Sequence, residues 1–200
     1  MRLPFDQGRL ISTIAYALRH DPARFGLDLD EEGWTSLEDL IIAIRFERYD
    51  WAFLDESLIR TVIAEMDRFE IRDGRIRAVY GHSIELGKQP PITMPPEVLF
   101  HGTASGNLSS ILQTGISRMR RRFAHFSTDY EWVIQFLSDK PEWTILAVNT
   151  LAASAAGVVF RKANHHVWLT DAIPSQILDL HATGRGLPAL SLPITPTHFP

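Results

Sequence analysis

The sequence predicts an α+β protein built from two lobes, with a proline-rich segment between them. Three stretches of apolar residues at helical spacing and a hairpin signal come first, within residues 1–87. Short apolar strands and weaker helical patterns then alternate irregularly in residues 98–200, after a segment that contains four prolines. Irregular alternation of this kind favours a mixed α+β fold over a regular series of parallel βαβ units.

Three helices are predicted in the first lobe from apolar residues that recur every three or four positions. These residues are Leu10, Ile11, Ile14, Ala15 and Leu18 in the first helix, Leu37, Leu40, Ile41 and Ile44 in the second, and Leu58, Ile59, Val62, Ile63 and Met66 in the third. Asp21-Pro22 is predicted to end the first helix. A capping box precedes the second helix, formed either by Ser36 and Asp39 or by Thr35 and Glu38.

A hairpin signal follows these helices. Phe69-Glu70-Ile71 and Ile76-Arg77-Ala78-Val79 flank Asp73-Gly74, and an Asp-Gly pair between two such runs is a strong signal for a tight hairpin. Three helices followed by a hairpin is the order of elements in a winged-helix fold. The sequence therefore predicts a winged-helix lobe over residues 1–87.

Residues 88–97 are predicted to link the two lobes, because proline fixes φ and removes a backbone donor, which disfavours helices and inner strands alike. The second lobe is predicted to span residues 98–200. Its predicted strands are Val98–Phe100, Thr144–Val148, Gly157–Phe160 and Val167–Leu169. Its predicted helices contain Leu108, Ile111 and Leu112, before Gly115, and Trp132, Val133, Phe136 and Leu137.

The composition excludes several kinds of chemistry. The chain has no cysteine, so disulfides, thiolate catalysis and cysteine-ligated metals are excluded. No stretch reaches the ~18 uncharged apolar residues of a membrane span, and the start lacks the apolar run of a signal peptide, so we expect a cytoplasmic protein without a membrane partner. The net charge of −4 argues against binding nucleic acid by broad phosphate attraction. Any anion site is therefore expected to be a local cluster of arginines.

Several polar groups are candidates for chemistry, and each also has an ordinary structural explanation. Arg19-His20 ends an apolar helix, where cations complement the helix dipole. Arg68, between the third helix and the hairpin, would by default be a solvated surface arginine. The run from Arg118 to Arg122 would usually be a solvated loop, but in an acidic protein it can also form an anion pocket. His101-Gly102-Thr103 and His125-Phe126-Ser127 contain histidines, which are individually more often structural than functional.

Motifs of other familiar sites are absent. The chain has no GxGxxG after a strand, no GxxxxGK[ST] phosphate loop, no GxSxG nucleophile turn and no HExxH zinc helix. Asn164-His165-His166 could suggest a metal site. Adjacent histidines on a strand point to opposite faces, so we expect no metal there.

Seven segments match the motifs of one enzyme family in the same order. In chain order, the family motifs and the segments similar to them are LRHxP (Ala17-Leu18-Arg19-His20-Asp21-Pro22), the segment that follows LRHxP (Gly26-Leu27-Asp28-Leu29-Asp30 through Gly33-Trp34) and KxRF (Asp67-Arg68-Phe69). The next are IRAxQGHS (Ile76-Arg77-Ala78-Val79-Tyr80-Gly81-His82-Ser83) and PPxxLYHGT (Pro95-Pro96 through Leu99-Phe100-His101-Gly102-Thr103). The last are RxxVHLS (Arg121 with Ala124-His125-Phe126-Ser127) and NGVWLT (Asn164 to Thr170). Together, from about Ile11 to Ile177, they resemble the RNA 2'-phosphotransferase family, the KptA-type enzymes. Seven motifs in order with near-regular spacing make this resemblance specific.

The resemblance implies a winged-helix lobe followed by an ADP-ribosyltransferase-like lobe, with NAD in the second lobe and a phosphate between the two. It implies a catalytic tetrad, which is Arg19, His20, Arg68 and Arg121. It also implies a His-His-hydrophobic signature for NAD, matched by His101, His125 and Val167. The full set of expected NAD-binding residues is His101, Gly102, Thr103, His125, Ser127, Asn164 and Val167, and no metal is expected.

The reaction implied is NAD-dependent transfer of an internal RNA 2'-phosphate, as in tRNA splicing and tRNA processing. It gives 2'-OH RNA, nicotinamide and ADP-ribose 1'',2''-cyclic phosphate through an ADP-ribosylated RNA 2'-phosphate. The expected partners are RNA bearing a 2'-phosphate and NAD, and the protein is expected to be a monomer. Four positions depart from the family motifs, namely Asp67 in place of a lysine-type residue, Tyr80 in place of Gln, Phe126 in place of Leu and His165 in place of Gly.

Two alternatives stay open from the sequence. The first is an ADP-ribosyltransferase that stops after the first step and caps terminal phosphates of RNA or DNA, which would leave a stable adduct. The second is a non-catalytic winged-helix nucleic-acid-binding protein, whose hairpin would need basic residues such as Arg72 and Arg75.

Overall fold

The computed structural model describes residues 6–64 and 66–185, and its content of helices and strands confirms the α+β class. The helices are α1 Gln7–Arg19, α2 Leu37–Glu47, α3 Glu56–Ile63, α4 Leu108–Thr114, α5 Tyr130–Phe136 and α6 Thr150–Ala155. The strands are β1 Thr35–Ser36, β2 Phe69–Arg72, β3 Arg75–Ala78, β4 Val98–Ala104, β5 Ile116–Ser117, β6 Ala124–Ser127, β7 Glu142–Asn149, β8 Arg161–Lys162, β9 Val167–Thr170, β10 Ala172–Ile173 and β11 Leu178–Arg185. Short 3-10 helices occur at Ala23–Phe25, Tyr49–Trp51, Ser105–Asn107 and Ser175–Ile177. None of the helices in these ranges is long and apolar enough to cross a membrane. The predicted second lobe extends past residue 185, and that end lies outside the described residues.

Three helices and a three-stranded antiparallel sheet of order β1-β3-β2 form the first part of the chain. The Ser36 hydroxyl accepts from the Asp39 N–H at 3.2 Å, so the cap of α2 is the Ser36 one. Asp73 and Gly74 both have positive φ, of 50° and 71°, as the predicted two-residue hairpin requires. The third helix ends at Ile63, before the last residue of its predicted stripe, yet Met66 still packs against the same apolar core. The order of elements predicted for this part is therefore present.

A six-stranded sheet of order β11-β7-β4-β6-β9-β8 dominates the second part, and each of its strand pairs is antiparallel. The absence of parallel pairs here agrees with the prediction against regular βαβ units. Helix α5 packs closely on β4 at Gly102, where an added Cβ would lie 2.7 Å from Val133 Cγ1. Gly102 is thus needed for helix α5 to approach the sheet.

The strand predicted at Gly157–Phe160 is wrong. Gly157 has a φ of 87° and its N–H bonds to the Ser154 carbonyl at 3.0 Å, so these residues end α6 instead. The first strand residue after this turn is Arg161. Strands β6 and β11 and helix α6 were not predicted, and the strand predicted at Val98–Phe100 continues to Ala104.

A gap divides the six-stranded sheet between β4 and β6. These strands pair at Phe100 and Ser127 alone, although continuation of that register would set Gly102 opposite His125. The His125 carbonyl accepts instead from His101 Nδ1, at 2.9 Å. We call this gap the seam, and it is bordered by residues 101–104 on β4 and 124–126 on β6.

The proline-rich segment predicted as a linker packs against the second part of the chain. Ile92 forms an isolated bridge with Arg161, and Arg161 donates to the Pro90 carbonyl at 3.0 Å. Further on, the Thr150 hydroxyl donates to the Pro96 carbonyl at 2.6 Å. The two parts of the chain also share a buried apolar cluster, whose members are Tyr80, Phe123, Val167 and Leu169. This shared cluster holds the end of the first part against the β6 and β9 strands.

Candidate functional site

The four residues predicted as a tetrad converge where the two parts of the chain meet. Arg19 is the last residue of α1 and His20 caps it, Arg68 precedes β2, and Arg121 precedes β6. Arg19 Nη2 lies 3.5 Å from the Arg68 carbonyl oxygen. Arg68 and Arg121 are close enough to Arg19 for their positive charges to lower its pKa. His20 is close enough to Arg19 and Arg121 for both positive charges to lower its pKa. We call these four residues the arginine cluster.

The arginine cluster lacks counter-charges. In the part of the chain that the structure describes, no ion pair joins Arg19, Arg68 or Arg121 to a carboxylate. Three guanidiniums that share a small space repel one another unless an anion lies among them. The arrangement is therefore suited to bind an anion, and guanidiniums bind phosphate through paired, charge-assisted hydrogen bonds.

Arg19 is held firmly at the centre of the cluster. Its Cζ lies 5.4 Å from the ring centres of both Phe69 and Tyr80. Gly81, with a φ of 91°, comes so close that an added Cβ would lie 3.2 Å from Arg19 Nη1. Burial lowers the pKa of Arg19 to about 10, and the positive charges of Arg68 and Arg121 act in the same direction. The guanidinium is still charged at neutral pH, and its buried Nε has no hydrogen-bond partner in the protein.

His20 is oriented by Ser83. The Ser83 hydroxyl lies 2.9 Å from His20 Nδ1, and the Ser83 N–H donates to the Arg19 carbonyl at 2.9 Å. The second bond fixes the Ser83 loop to the end of α1. Burial lowers the pKa of His20, and Arg19 and Arg121 lower it further, so the free imidazole is neutral at pH 7.

Tyr80 and His125 connect the arginine cluster with the seam. The Tyr80 ring stands 5.7 Å from the His125 ring, and Arg121 Nη1 donates to His125 Nδ1 at 3.4 Å. Burial lowers the pKa of His125 to about 3, with Arg121 and Arg19 contributing, so this ring is a neutral acceptor. Burial raises the pKa of Tyr80 to about 12, and the phenol is hydrogen-bonded to the Asp67 carboxylate.

Four of the residues predicted to bind NAD border the seam, and a fifth, Ser127, belongs to the strand pair that ends it. His101, Gly102 and Thr103 lie on β4, whereas His125 and Ser127 lie on β6. His101 donates through Nδ1, so its Nε2 carries no hydrogen and is left as an acceptor. Burial lowers the pKa of His101, which keeps the ring neutral. The seam thus brings two neutral imidazoles and the Thr103 hydroxyl to facing strand edges.

The other two predicted NAD residues lie at the junction of the two parts and contact protein. Asn164 Nδ2 donates to both the carbonyl and the carboxylate of Asp67, each at 3.1 Å. Asn164 Oδ1 accepts from the N–H groups of His166 and Val167, at 2.9 and 2.7 Å. Val167 is 0% exposed and belongs to the shared apolar cluster. Asn164 therefore joins Asp67, the residue before Arg68, to the start of β9. We call these contacts of Asn164 the clasp.

The expectation that Asn164-His165-His166 lies on a strand is wrong. These residues form a bend before β9, and the rings of His165 and His166 lie with their centres 3.9 Å apart. The argument from opposite strand faces therefore does not hold. Residues 6–64 and 66–185 contain no group of three or more His, Asp or Glu side chains that could hold a metal ion.

The arginine run is a loop whose members have different contacts. Arg121 belongs to the arginine cluster, whereas Arg122 donates from its backbone to the His82 carbonyl at 2.9 Å and from its side chain to the Leu86 carbonyl at 2.7 Å. Arg118 and Arg120 are exposed. The run therefore supplies one member of the site and one anchor to the first part of the chain.

Sequence reasoning missed the residues that support the site. Asp67, Tyr80 and Ser83 received no role, although each contacts a candidate residue in the structure. The available signal was position, since Tyr80 and Ser83 lie within the motif-like segment that follows the hairpin. Supporting residues of this kind hold the orientation of the groups they contact.

Comparison with known proteins gives a consistent picture. A sequence profile of the RNA 2'-phosphotransferase, Tpt1 / KptA family matches residues 7–172. A probable RNA 2'-phosphotransferase of Acetivibrio thermocellus is 39% identical over 178 residues, which are 86% of this chain and 96% of that protein. Proteins of the same name from Bacillus thuringiensis and Agrobacterium fabrum are 37% and 39% identical, over 86% and 84% of this chain and 94% and 91% of their own lengths.

Proposed function

The chain belongs to the RNA 2'-phosphotransferase, Tpt1 / KptA family, and from this membership we propose that it transfers an internal 2'-phosphate of RNA to NAD. The observation that carries the proposal is the convergence of Arg19, His20, Arg68 and Arg121, with no ion pair from these arginines to a carboxylate within residues 6–64 and 66–185. Relatives named RNA 2'-phosphotransferase make the protein a transferase. The arginine cluster supports the phosphate as the group transferred.

The proposed role of the three arginines is to hold the 2'-phosphate and to stabilise charge during transfer. A 2'-phosphate is already a nucleophile at neutral pH, so its attack on C1'' of the NAD ribose, with nicotinamide as the leaving group, would need positioning more than a strong base. Arg19, Arg68 and Arg121 would each direct N–H donors at its oxygens. In the second step the 2''-OH of that ribose would attack the phosphorus, with its proton released to solvent, and the RNA 2'-oxygen would leave. The same guanidiniums would stabilise the more highly charged transition state.

His20 is proposed to move a proton to the RNA 2'-oxygen as that oxygen leaves. The free ring is neutral because burial and two arginines lower its pKa. A bound phosphate dianion brings negative charge, which raises the pKa of a neighbouring imidazole and lets it carry the proton. Ser83 would hold the ring in place for this transfer, through its contact with Nδ1 at 2.9 Å.

The seam is proposed to bind NAD. When bound there, NAD would supply the ribose that accepts the phosphate and nicotinamide as the leaving group. The donor set fits a ribose, since His101 Nε2 is left to accept and the Thr103 hydroxyl, which accepts from Asn107 at 3.0 Å, still has its own hydrogen to donate. Ser127 is 0% exposed and its hydroxyl accepts from the Asp129 N–H at 3.0 Å, so its proposed role is to support this end of the seam from within the protein. Asn164 and Val167 would not contact NAD directly but would hold in place the junction on which His125 packs.

We also propose the finer architecture on the same grounds. The order of α1, α2, α3, β2 and β3 supports a winged-helix lobe over residues 1–87, and the split antiparallel sheet supports an ADP-ribosyltransferase-like lobe from residue 98 onward. Residues 88–97 would join them.

The test is incubation of the protein with NAD and a short RNA that carries one internal 2'-phosphate. We expect nicotinamide release, 2'-OH RNA and a product with the mass of ADP-ribose 1'',2''-cyclic phosphate. Arg121→Ala should lower kcat/KM by ~10²–10³-fold, because it removes one donor aimed at transition-state charge. Arg120→Ala, an exposed neighbour in the same loop, is the matched control and should stay within about twofold.

Three outcomes would contradict the proposal. A stable ADP-ribose adduct on the RNA would indicate a transferase that stops after the first step. Binding of duplex nucleic acid with steep salt dependence and no nicotinamide release would indicate a non-catalytic binding protein. Unchanged turnover in Arg121→Ala would remove Arg121 from the site.

A further inference from the structure

The arginine cluster opens to solvent at His20 and Arg121, which are exposed, whereas Arg19 and Arg68 are partly buried. A 2'-phosphate that is internal to an RNA chain has a nucleotide on each side of it. When such a phosphate is bound at the cluster, its neighbouring nucleotides lie over the surface beside the exposed members. That surface is therefore where further contacts with the RNA are to be sought.

Tyr16 lies beside His20 on the exposed face of α1. Residues four apart on a helix are neighbours, and the ring centres of Tyr16 and His20 are 5.8 Å apart. Tyr16 is 42% exposed, which is a large share for an aromatic residue that packs on the body of a helix. An aromatic surface thus borders the open side of the arginine cluster, one helical turn from the imidazole.

The position of Tyr16 is fixed by its neighbours. Its carbonyl accepts from the N–H groups of His20 and Asp21, at 3.0 and 3.2 Å, at the end of α1. The Phe25 ring packs edge-on against the Tyr16 ring, with the ring centres 6.3 Å apart. Phe25 is itself held in a turn, because its N–H donates to the Pro22 carbonyl at 3.0 Å. A ring that is held in this way and is still exposed loses little freedom when a ligand packs on it.

A groove of about 280 Å³ opens beside Tyr16. The charged residues that line it are Arg9, Arg24, Glu47 and Arg48. Arg24 pairs with Glu47 at 3.3 Å. Arg48 pairs with Asp50 at 2.7 Å. Two of the three arginine charges are therefore already paired, and the groove suits an uncharged planar base better than a phosphate.

We propose that Tyr16 is a stacking surface for a base of the RNA, namely the base of a nucleotide adjacent to the one that carries the 2'-phosphate. This inference rests on the proposed function, because the phosphate bound at the arginine cluster determines where that base lies. Unstacked bases of single-stranded RNA are commonly recognised by stacking on tyrosine and other aromatic rings, and such stacking tolerates any base. Tyr16 would therefore favour a 2'-phosphate inside a single strand without selecting its sequence.

The test is binding of 2'-phosphorylated RNA to the full chain in the absence of NAD, measured by fluorescence anisotropy. Three RNAs of one length carry the same internal 2'-phosphate. One has all its bases, and the other two lack the base on the 5' or on the 3' side of the phosphate. We expect the wild type to bind one of the two abasic RNAs ~5–150-fold more weakly than the intact RNA, as for the loss of one stacked base. Tyr16→Ala should weaken binding of the intact RNA by a similar factor and should bind the intact RNA and that abasic RNA equally.

Two control variants separate stacking from other effects. Tyr16→Phe keeps the ring and should bind the intact RNA within about twofold of the wild type. Tyr49→Ala removes a tyrosine that is 85% exposed, in the 3-10 helix Tyr49–Trp51, and should keep the full difference between intact and abasic RNA. A purely structural role of Tyr16 would instead weaken all three RNAs by the same factor in Tyr16→Ala, since these RNAs differ in a base alone.

Two results would overturn the proposal. One is a wild type that does not distinguish the intact RNA from either abasic RNA. The other is a Tyr16→Ala variant in which the missing base matters as much as it does in the wild type. Nicotinamide release from NAD with the intact RNA is measured separately, and its absence would contradict the proposed function whatever the abasic RNAs show. Failure of the proposed function and failure of this proposal are therefore distinguishable.

Discussion

Asn164→Asp tests the clasp between the two parts of the chain with a change of almost no volume. The Oδ1 acceptor for the N–H groups of His166 and Val167 is kept, since a carboxylate also accepts. The two bonds that Asn164 donates to Asp67 are lost, and a second carboxylate then faces Asp67 at the position that Nδ2 occupied, 3.1 Å from Oδ2. The substitution therefore breaks the clasp and leaves the local bend intact.

The expected loss of stability follows from these contacts. Two hydrogen bonds contribute ~1 kcal/mol each. Two negative charges about 3 Å apart repel by ~1 kcal/mol in water and ~5 kcal/mol at an effective dielectric constant of 20, and partly exposed side chains that move apart fall near the lower value. We expect a total of ~3 kcal/mol, which lowers Tm by ~6–12 °C for a chain of this length.

Activity should fall as well, because Asp67 directly precedes Arg68, and loss of the Asn164 contact with Asp67 would shift Arg68. Misplacement of a positioned group by ~1 Å can slow an enzyme ~10²-fold, so we expect kcat/KM for 2'-phosphorylated RNA to fall ~10–100-fold at a temperature where the variant is folded. The assays are thermal unfolding by circular dichroism and nicotinamide release. Asn149→Asp is the matched control, because Asn149 caps α6 through Oδ1 and aspartate caps equally well.

The decisive measurement is the stability of the double variant in which Asn164 and Asp67 are exchanged. In Asn164→Asp with Asp67→Asn, the amide at 67 can donate to the carboxylate at 164, and its oxygen can still accept from Tyr80. We expect the second substitution to restore at least half of the lost stability and a coupling free energy above ~1 kcal/mol. The reasoning is refuted if the pair is no better than Asn164→Asp, or if Asn164→Asp behaves like the control.

Three further predictions follow from single contacts. Ser83→Ala removes the hydroxyl 2.9 Å from His20 Nδ1 and should lower kcat about fivefold, with the KM for NAD unchanged in steady-state kinetics; an unchanged kcat would contradict the positioning role. Burial, with nearby arginines, lowers the pKa of His82 to about 4, so the unfolded chain binds a proton near pH 6.5 that the folded chain excludes. Stability is full above pH 6.5 and is lost as pH falls toward 4, by ~2 kcal/mol from this residue between pH 7 and 5, and urea unfolding of His82→Gln should show a shallower loss over that range. Gly102→Ala sets a methyl group 2.7 Å from Val133 Cγ1 and should lower the free energy of unfolding by ~1–3 kcal/mol in the same assay. If this contact is the cause, adding Val133→Ala to the Gly102→Ala variant should restore part of the lost stability.

The first part of the chain was the more predictable because its signals are local. Helical spacing marked α1 to α3, and Asp73-Gly74 marked the hairpin, since both follow from backbone geometry within a few residues. The wrong strand at Gly157–Phe160 shows the opposite case. Its Val-Val-Phe run has strand propensity, but the glycine before it adopts positive φ and ends a helix. Strand β6 has four residues after an arginine run, too few to show alternation without its partner β9.

The members of the candidate site were predictable from motifs, but their arrangement was not. Arg19-His20, Arg68 and Arg121 come from motif-like segments, and one sequence contains no distance between them. The bond from Asn164 to Asp67 spans 97 positions, and the apolar cluster of Tyr80, Phe123, Val167 and Leu169 needs residues from both parts of the chain. Such features arise from tertiary packing, which periodicity and spacing do not report.

A ligand that binds in the seam, as proposed for NAD, would meet backbone groups as well as side chains. Beyond Phe100 and Ser127, β4 and β6 do not pair with each other, and the His125 carbonyl is instead bonded to the His101 side chain. Peptide groups are strong, fixed donors and acceptors, and no replacement of a side chain other than by proline removes one. An alanine scan across these strands would therefore underestimate what a planar polar molecule gains by lying there. Replacing single amides by esters, or trimming polar atoms from the molecule itself, would reveal it, and the same property lets such recognition persist while the surrounding sequence diverges.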